Sequence, residues 1–138
     1  MKFRKMMGVT AAFLCAALAL SGCGSTDETA YRIGIVQQDE HSSLDAATQG
    51  FEDKLMELLG EENVTFDYQN AQGEQANSTT IATKFVSDGC DLILANGTTA
   101  LQSAAAATAD IPIVGTSVTD YIAAGAVNSN EKPGRNVT

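Results

Sequence analysis

The sequence predicts an α/β fold, a doubly wound parallel sheet, on two observations. Short apolar runs rich in β-branched residues alternate with longer segments whose apolar residues recur every three or four positions, and glycines, Gly60 and Gly89, stand where two of those longer segments stop. Strand, helix and strand repeated along one chain is the pattern of βαβ units, which set their strands side by side in parallel.

The first strand is Tyr31-Arg32-Ile33-Gly34-Ile35-Val36. A helix follows from about Ser43 to Leu59, where Leu44, Ala47, Phe51, Leu55, Leu58 and Leu59 build one apolar stripe. Ser42 or Ser43 can cap its start and Gly60 its end, and Asp45, three positions after Ser42, fits an aspartate variant of the capping box, a role favoured over ligand contact. Val64-Thr65-Phe66-Asp67-Tyr68 reads as the second strand, with Asn70-Ala71-Gln72-Gly73 as its exit loop. From Glu74 to Asp88 the pattern is helical again, with Ile81, Ala82, Phe85 and Val86 on the buried side. A strand at Leu92 to Ala95, an alanine-rich helix from about Thr99 to Ala109, and a strand at Ile111 to Gly115 complete the series. Pro112 suits the first residues of that last strand. Four βα repeats are expected, followed by a loop-like stretch, Asn128 to Arg135. The chain stops at Asn136-Val137-Thr138, where a further strand would begin.

Ahead of the fold, Lys2, Arg4 and Lys5 precede an apolar segment, Met6 to Leu20, that is shorter than the roughly 20 residues a membrane-spanning helix needs. Small residues then lead into a cysteine in Leu20-Ser21-Gly22-Cys23, the layout of a cleavable secretory signal. The tetrapeptide resembles the lipobox of bacterial lipoproteins, which implies diacylglycerol on Cys23 and cleavage before it. An ordinary signal peptide with a chance cysteine is the alternative. The expected division is a signal peptide at 1–22, a lipidated flexible linker at 23–30 and an α/β lobe at 31–138. The location is the extracytoplasmic face of the cell membrane.

Removing the signal takes three of eight basic residues and leaves 17 acidic ones, a formal charge of −12. Such a surface is repelled by phosphate backbones and anionic headgroups, so nucleic acid is not an expected partner and membrane contact falls to the lipid. Of three cysteines, only Cys90 remains after processing and lipidation, which excludes an intrachain disulfide. Its place before Leu92-Ile93-Leu94-Ala95 favours a small buried core residue over a reactive thiol. With a single histidine, His41, read as a loop residue, there is no zinc-ligand spacing, and neither a metal nor a cofactor is expected.

In an open parallel sheet, ligands bind beyond the carboxyl ends of the strands, where helix N-termini offer unpaired N–H groups. Three segments reach that edge. The first, Gln37 to Leu44, carries Gln37, Ser43 and Leu44; the second is Asn96-Gly97-Thr98-Thr99; the third is Thr116-Ser117-Val118-Thr119-Asp120. Gly97 lets a ligand approach the backbone, and Thr98 and Thr99 set hydroxyls beside helix N–H groups, an arrangement suited to a carboxylate. Thr98 can equally be a plain helix cap, and Asp120 either a partner for an ammonium group or the cap of a short helix. No nucleophile elbow, Walker loop or dinucleotide fingerprint is present, and Asp39-Glu40 are loop neighbours without the separation an acid/base pair needs. An enzyme is not expected.

The residues Ile33-Gly34-Ile35, Gln37, Glu40-His41, Leu44-Asp45-Ala46, Asn70-Ala71, Ile111-Pro112-Ile113-Val114, Val118-Thr119-Asp120 and Asn136-Val137-Thr138 together resemble the ABC-transporter substrate-binding protein family, which includes lipoproteins for aromatic amino acids. The resemblance runs from about Tyr31 to the last residue. It departs from the family at Ser42, at Gly97 to Thr99, at Tyr121 and at Arg135. It implies one lobe of a type I periplasmic-binding-protein-like fold, two such lobes clamping a ligand between them, and a site at the three loops named above. It also implies a lipid-anchored receptor that passes an amino acid, aromatic ones favoured, or a similar carboxylate to ABC permease subunits. The alternative is a ligand-sensing module of the same fold that signals to a membrane partner.

Overall fold

The structure, a computed structural model, describes residues 30–138; the expected signal peptide and the lipidation site Cys23 lie outside the described residues. Four strands, β1 (Tyr31–Gln37), β2 (Val64–Asn70), β3 (Leu92–Asn96) and β4 (Ile113–Thr116), alternate with three helices, α1 (Ser42–Leu59), α2 (Gln75–Ser87) and α3 (Thr98–Ala107). All strand pairs are parallel and the order is β2-β1-β3-β4, so β1 is flanked by the strands that follow it on both sides. This is the expected doubly wound sheet. A topological switch point lies between β1 and β3.

Strand alternation divides the core into two layers. Ile33, Ile35, Val64 and Leu94 face α1 and meet its Phe51, Leu55 and Met56. Val36, Phe85, Ile93, Ala95, Leu101 and Ile113 lie in the other layer, with α2 and α3. Gly34 belongs to that second side. A Cβ there would sit 2.6 Å from the Phe85 ring, so a side chain at this position would push α2 off the sheet. Cys90 is buried in the same layer, and burial raises its thiol above the usual range, as a core residue requires.

Several elements differ from expectation. The N-cap of α1 is His41, whose Nδ1 accepts from the Ser43 N–H, in place of Ser42 or Ser43; Gly60 does end the helix, at φ 89°. The helix is also rolled about its axis. Thr48 is buried and Met56 packs on the core, whereas Leu58, placed on the apolar stripe by spacing, is 65% exposed. At the C-terminus of α3, Thr108 Oγ1 accepts from the Asp110 and Ile111 N–H groups, which stops the helix two residues before Ala109. Pro112 stands just outside β4, where its carbonyl accepts from Ile93 N–H. The fourth repeat has no helix. After β4 the chain makes tight turns around Tyr121 to Gly125, and Val137 then adds a parallel bridge to Ile113.

Candidate functional site

Each strand of the inner pair ends in a polar residue on an otherwise apolar face. Gln37 follows Ile33 and Ile35, Asn96 follows Leu94, and register makes Gln37 and Asn96 direct neighbours across β1 and β3. Both side chains are fully buried. A buried amide must find partners, and α1 supplies them. Thr48 Oγ1 donates to Gln37 Oε1 at 2.8 Å, and Asn96 Nδ2 donates to Thr48 Oγ1 at 2.9 Å and to the Leu44 carbonyl at 2.8 Å. Gln37 Nε2 donates to Asp45 Oδ1 at 2.7 Å and to the Asp39 carbonyl at 2.8 Å. Asp45 is therefore tied to the sheet and is not the capping-box residue expected with Ser42. Thr48 can make these bonds only because of the roll that leaves Leu58 outside. Asn96 Oδ1 has no partner.

Above this network four loops meet. Gln38 N–H bonds to the Asn96 carbonyl, Gly73 N–H to the Gln38 carbonyl, Ala71 N–H to the Gln37 carbonyl, and Gly97 N–H to the Thr116 carbonyl, all at 2.8–2.9 Å. Alternation turns Gln38 to the opposite face from Gln37, toward α3, where its Oε1 accepts from Thr99 N–H at 2.9 Å. Gly97, at φ 117°, is the N-cap of α3. A Cβ on Gly97 would lie 2.6 Å from the Gln38 side chain, so the group that approaches this glycine is a neighbouring loop of the same lobe. Thr98 does not cap α3; its Oγ1 accepts from Thr119 N–H at 3.5 Å and links the loop after β4 to the helix start.

The candidate residues thus divide by position. Gln37 and Asn96 lie beneath the edge. Leu44 contributes its carbonyl to the network, and Gly97, Thr98, Thr99 and Thr116 sit half-buried or buried at the junction. Ser43, Ser117 and Thr119 are exposed, with Ser117 in the left-handed region at φ 55°. Val118 packs against the α2–α3 layer. Asp120 Oδ1 accepts from the Ile122 and Ala123 N–H groups at 2.9 Å and caps the turns that follow. Tyr121, beyond it, donates its hydroxyl to the Gly115 carbonyl at 2.7 Å. Ser43 Oγ lies 2.8 Å from His41 Nδ1, but that nitrogen is engaged as the α1 cap, so the pair is local helix chemistry and not an activated nucleophile.

Two residues organise this edge without being singled out by the sequence: Gln38, which lies within the Gln37 to Leu44 segment, and Thr48, which lies outside all three segments. A polar doublet straight after a strand, one residue for each face, was the signal for Gln38; a threonine inside an apolar stripe was the signal for Thr48. Two concavities flank the edge. One of about 210 Å³ lies between α1 and β2, lined by Gln37, Asp45, Thr48, Gln49, Glu52 and Tyr68. There burial, with a smaller contribution from Asp53, raises the Glu52 carboxyl above its usual range. The other, about 340 Å³, opens beyond β4 between Tyr121, Val127, Asn130, Pro133 and Thr138. Between them, the junction of Thr98, Thr99, Ser117 and Thr119 offers hydroxyls at the N-terminus of a ten-residue helix, chemistry suited to a carboxylate.

The profile of the family described as ABC transporter substrate binding protein matches residues 32–138. A curated protein from Clostridioides difficile, a tyrosine-binding protein, is 40% identical over 153 aligned positions, covering 99% of this chain and 44% of the relative. The ligand-free, open structure of a substrate-binding protein with adhesive properties, also from C. difficile, shares 46% identity at a TM-score of 0.76, over 78% of this chain and 37% of that one. An ABC domain in complex with L-Trp from Streptococcus pneumoniae shares 36% identity at a TM-score of 0.75, over 79% and 37%. The chain thus spans less than half the length of these relatives.

Proposed function

The chain belongs to the ABC transporter substrate binding protein family, and on that premise we propose that it forms one wall of an extracytoplasmic receptor that captures an amino acid, aromatic ones favoured, for an ABC importer. The observation that carries this reading is the meeting of the loops after β1, β3 and β4 at one edge, beside the switch point and the N-termini of α1 and α3. A ligand carboxylate is received at the first turn of α3 by the Thr98 and Thr99 hydroxyls and by the N–H groups other than that of Thr99, which Gln38 holds, and no acidic side chain belongs to that turn. Exposed Ser117 and Thr119 line the approach, and Gln37 and Asn96 hold the loops from below without touching the ligand. The aromatic preference is supported by the relatives, one named for tyrosine and one solved with L-Trp.

In this reading residues 31–138 are the first lobe, and a second lobe closes over the ligand and excludes water. Residues 1–22 are a lipoprotein signal peptide, 23–30 a linker, and Cys23 carries the lipid that holds the receptor beside its permease. The reading assigns no catalytic step and no cofactor. Calorimetry on the native-length protein tests it. L-tyrosine, L-tryptophan or L-phenylalanine should bind, and Thr99→Val should weaken binding more than it lowers the melting temperature. Binding of none of these, or loss of stability with unchanged affinity in Thr99→Val, sinks the site. Cys23→Ser should release the protein from the membrane fraction; retention there would point to a different anchor.

A further inference from the structure

Gln38 touches more of the junction than any residue assigned to the ligand. Its N–H bonds to the Asn96 carbonyl, its carbonyl to Gly73 N–H, and its side-chain Oε1 to Thr99 N–H, while its side chain fills the space that Gly97 leaves by having no Cβ. One residue of the β1–α1 loop is therefore tied to β3, to the β2–α2 loop and to the first turn of α3. The two backbone bonds fix the root of the side chain, so the amide crosses to α3 from a defined point.

The choice of an amide is informative. For stability alone, a carboxylate serves better at a helix N-terminus, because it pairs the same N–H group and also meets the positive end of the dipole. Gln38 satisfies one orphan N–H of α3 while adding no charge, so the rest of the turn keeps its attraction for an anion. We propose that Gln38 is a positioning residue that fixes the first turn of α3 for a carboxylate ligand and, by being neutral, leaves that turn available to it. The proposal rests on the amino-acid-binding reading above and deepens it, assigning carboxylate selectivity to a residue that supports the site from the neighbouring loop.

The test compares wild type, Gln38→Glu and Gln38→Leu in the native-length protein, measuring calorimetric affinity for L-tyrosine and for L-tyrosine amide together with the melting temperature. Gln38→Glu keeps the acceptor, so its melting temperature should stay level or rise. Its affinity for L-tyrosine should nevertheless fall about tenfold or more, from a fixed charge within a few ångströms of the ligand's, and its preference for the acid over the amide should collapse. Gln38→Leu, which loses the acceptor, should bind L-tyrosine about threefold to tenfold more weakly, the loss expected for one hydrogen bond. Wild-type affinity in Gln38→Glu, equal loss for acid and amide, or tighter binding in Gln38→Leu overturns the assignment while leaving the receptor reading intact. If wild type binds neither compound, the receptor reading fails and Gln38 falls with it.

Discussion

Replacing Thr48 by valine isolates the polar layer under the site, because the two side chains have nearly the same shape and differ by a hydroxyl. Thr48 is 6% exposed, and its Oγ1 both donates to Gln37 at 2.8 Å and accepts from Asn96 at 2.9 Å. In the variant, Asn96 Nδ2 keeps the Leu44 carbonyl, but Gln37 Oε1 keeps only the 3.5 Å approach of Asn96. Two bonds at about 1 kcal/mol each, plus the penalty for a nearly unpaired acceptor, are partly offset by the greater hydrophobicity of valine, which leaves a net loss of about 2 kcal/mol. For a domain of this size that corresponds to roughly 8–12 °C in melting temperature. Thr48→Ser keeps the hydroxyl and drops one methyl group, so it should cost about 1 kcal/mol or less. The chain has no tryptophan, so urea unfolding is best followed by far-UV circular dichroism, with an unchanged m-value as the check that only stability has moved. A Thr48→Val loss under about 0.5 kcal/mol, or a Thr48→Ser protein less stable than Thr48→Val, would refute the claim that the hydroxyl organises this layer.

Leu58→Ser tests the roll of α1 from the opposite side: at 65% exposure the change should stay within about 0.5 kcal/mol, and a loss above about 2 kcal/mol would mean that Leu58 packs in the core after all. Gly97→Ala meets both a φ of 117° and a 2.6 Å clash with Gln38, so it should lower stability by about 1–3 kcal/mol; a neutral result would show that the loop relaxes freely. Hydrogen bonds from Gln69 and Lys84 hold the Asp67 carboxyl below its usual range, and Asp67 and Asp88 hold the Lys84 ammonium above its own. A depressed carboxylate adds stability that is present above its ordinary value, about pH 4, and lost as pH falls further. Wild type should therefore lose more stability than Lys84→Met between about pH 5 and pH 2, whereas parallel acid curves would mean that the exposed pair contributes nothing.

The helices and strands were legible because each carries its own period. Ile33, Ile35 and Leu94 alternate as half of a two-sided sheet must, Ile81, Ala82 and Phe85 recur at helical spacing, and Gly60 stops α1 where the pattern ends. The sequence also placed three segments beyond the strand ends, and these do converge at one edge of the sheet. Individual roles were harder to read. Asp120 had two readings and the structure uses it as a cap; Asp45 had a local partner in sequence but found Gln37 instead; Thr48 and Gln38 looked like ordinary polar residues.

By itself the sequence determined the four strands, the three α-helices between them and the two faces of the sheet, because periodicity and turn chemistry act over a few residues. Only the tertiary structure decided who meets whom. Placing β3 beside β1 made Gln37 and Asn96 neighbours across 59 positions, their buried amides selected the roll of α1 that presents Thr48, and the alternation past Gln37 sent Gln38 across to α3. A desolvated amide must be satisfied by whatever the crossing chains bring within reach, and no local pattern encodes that partner.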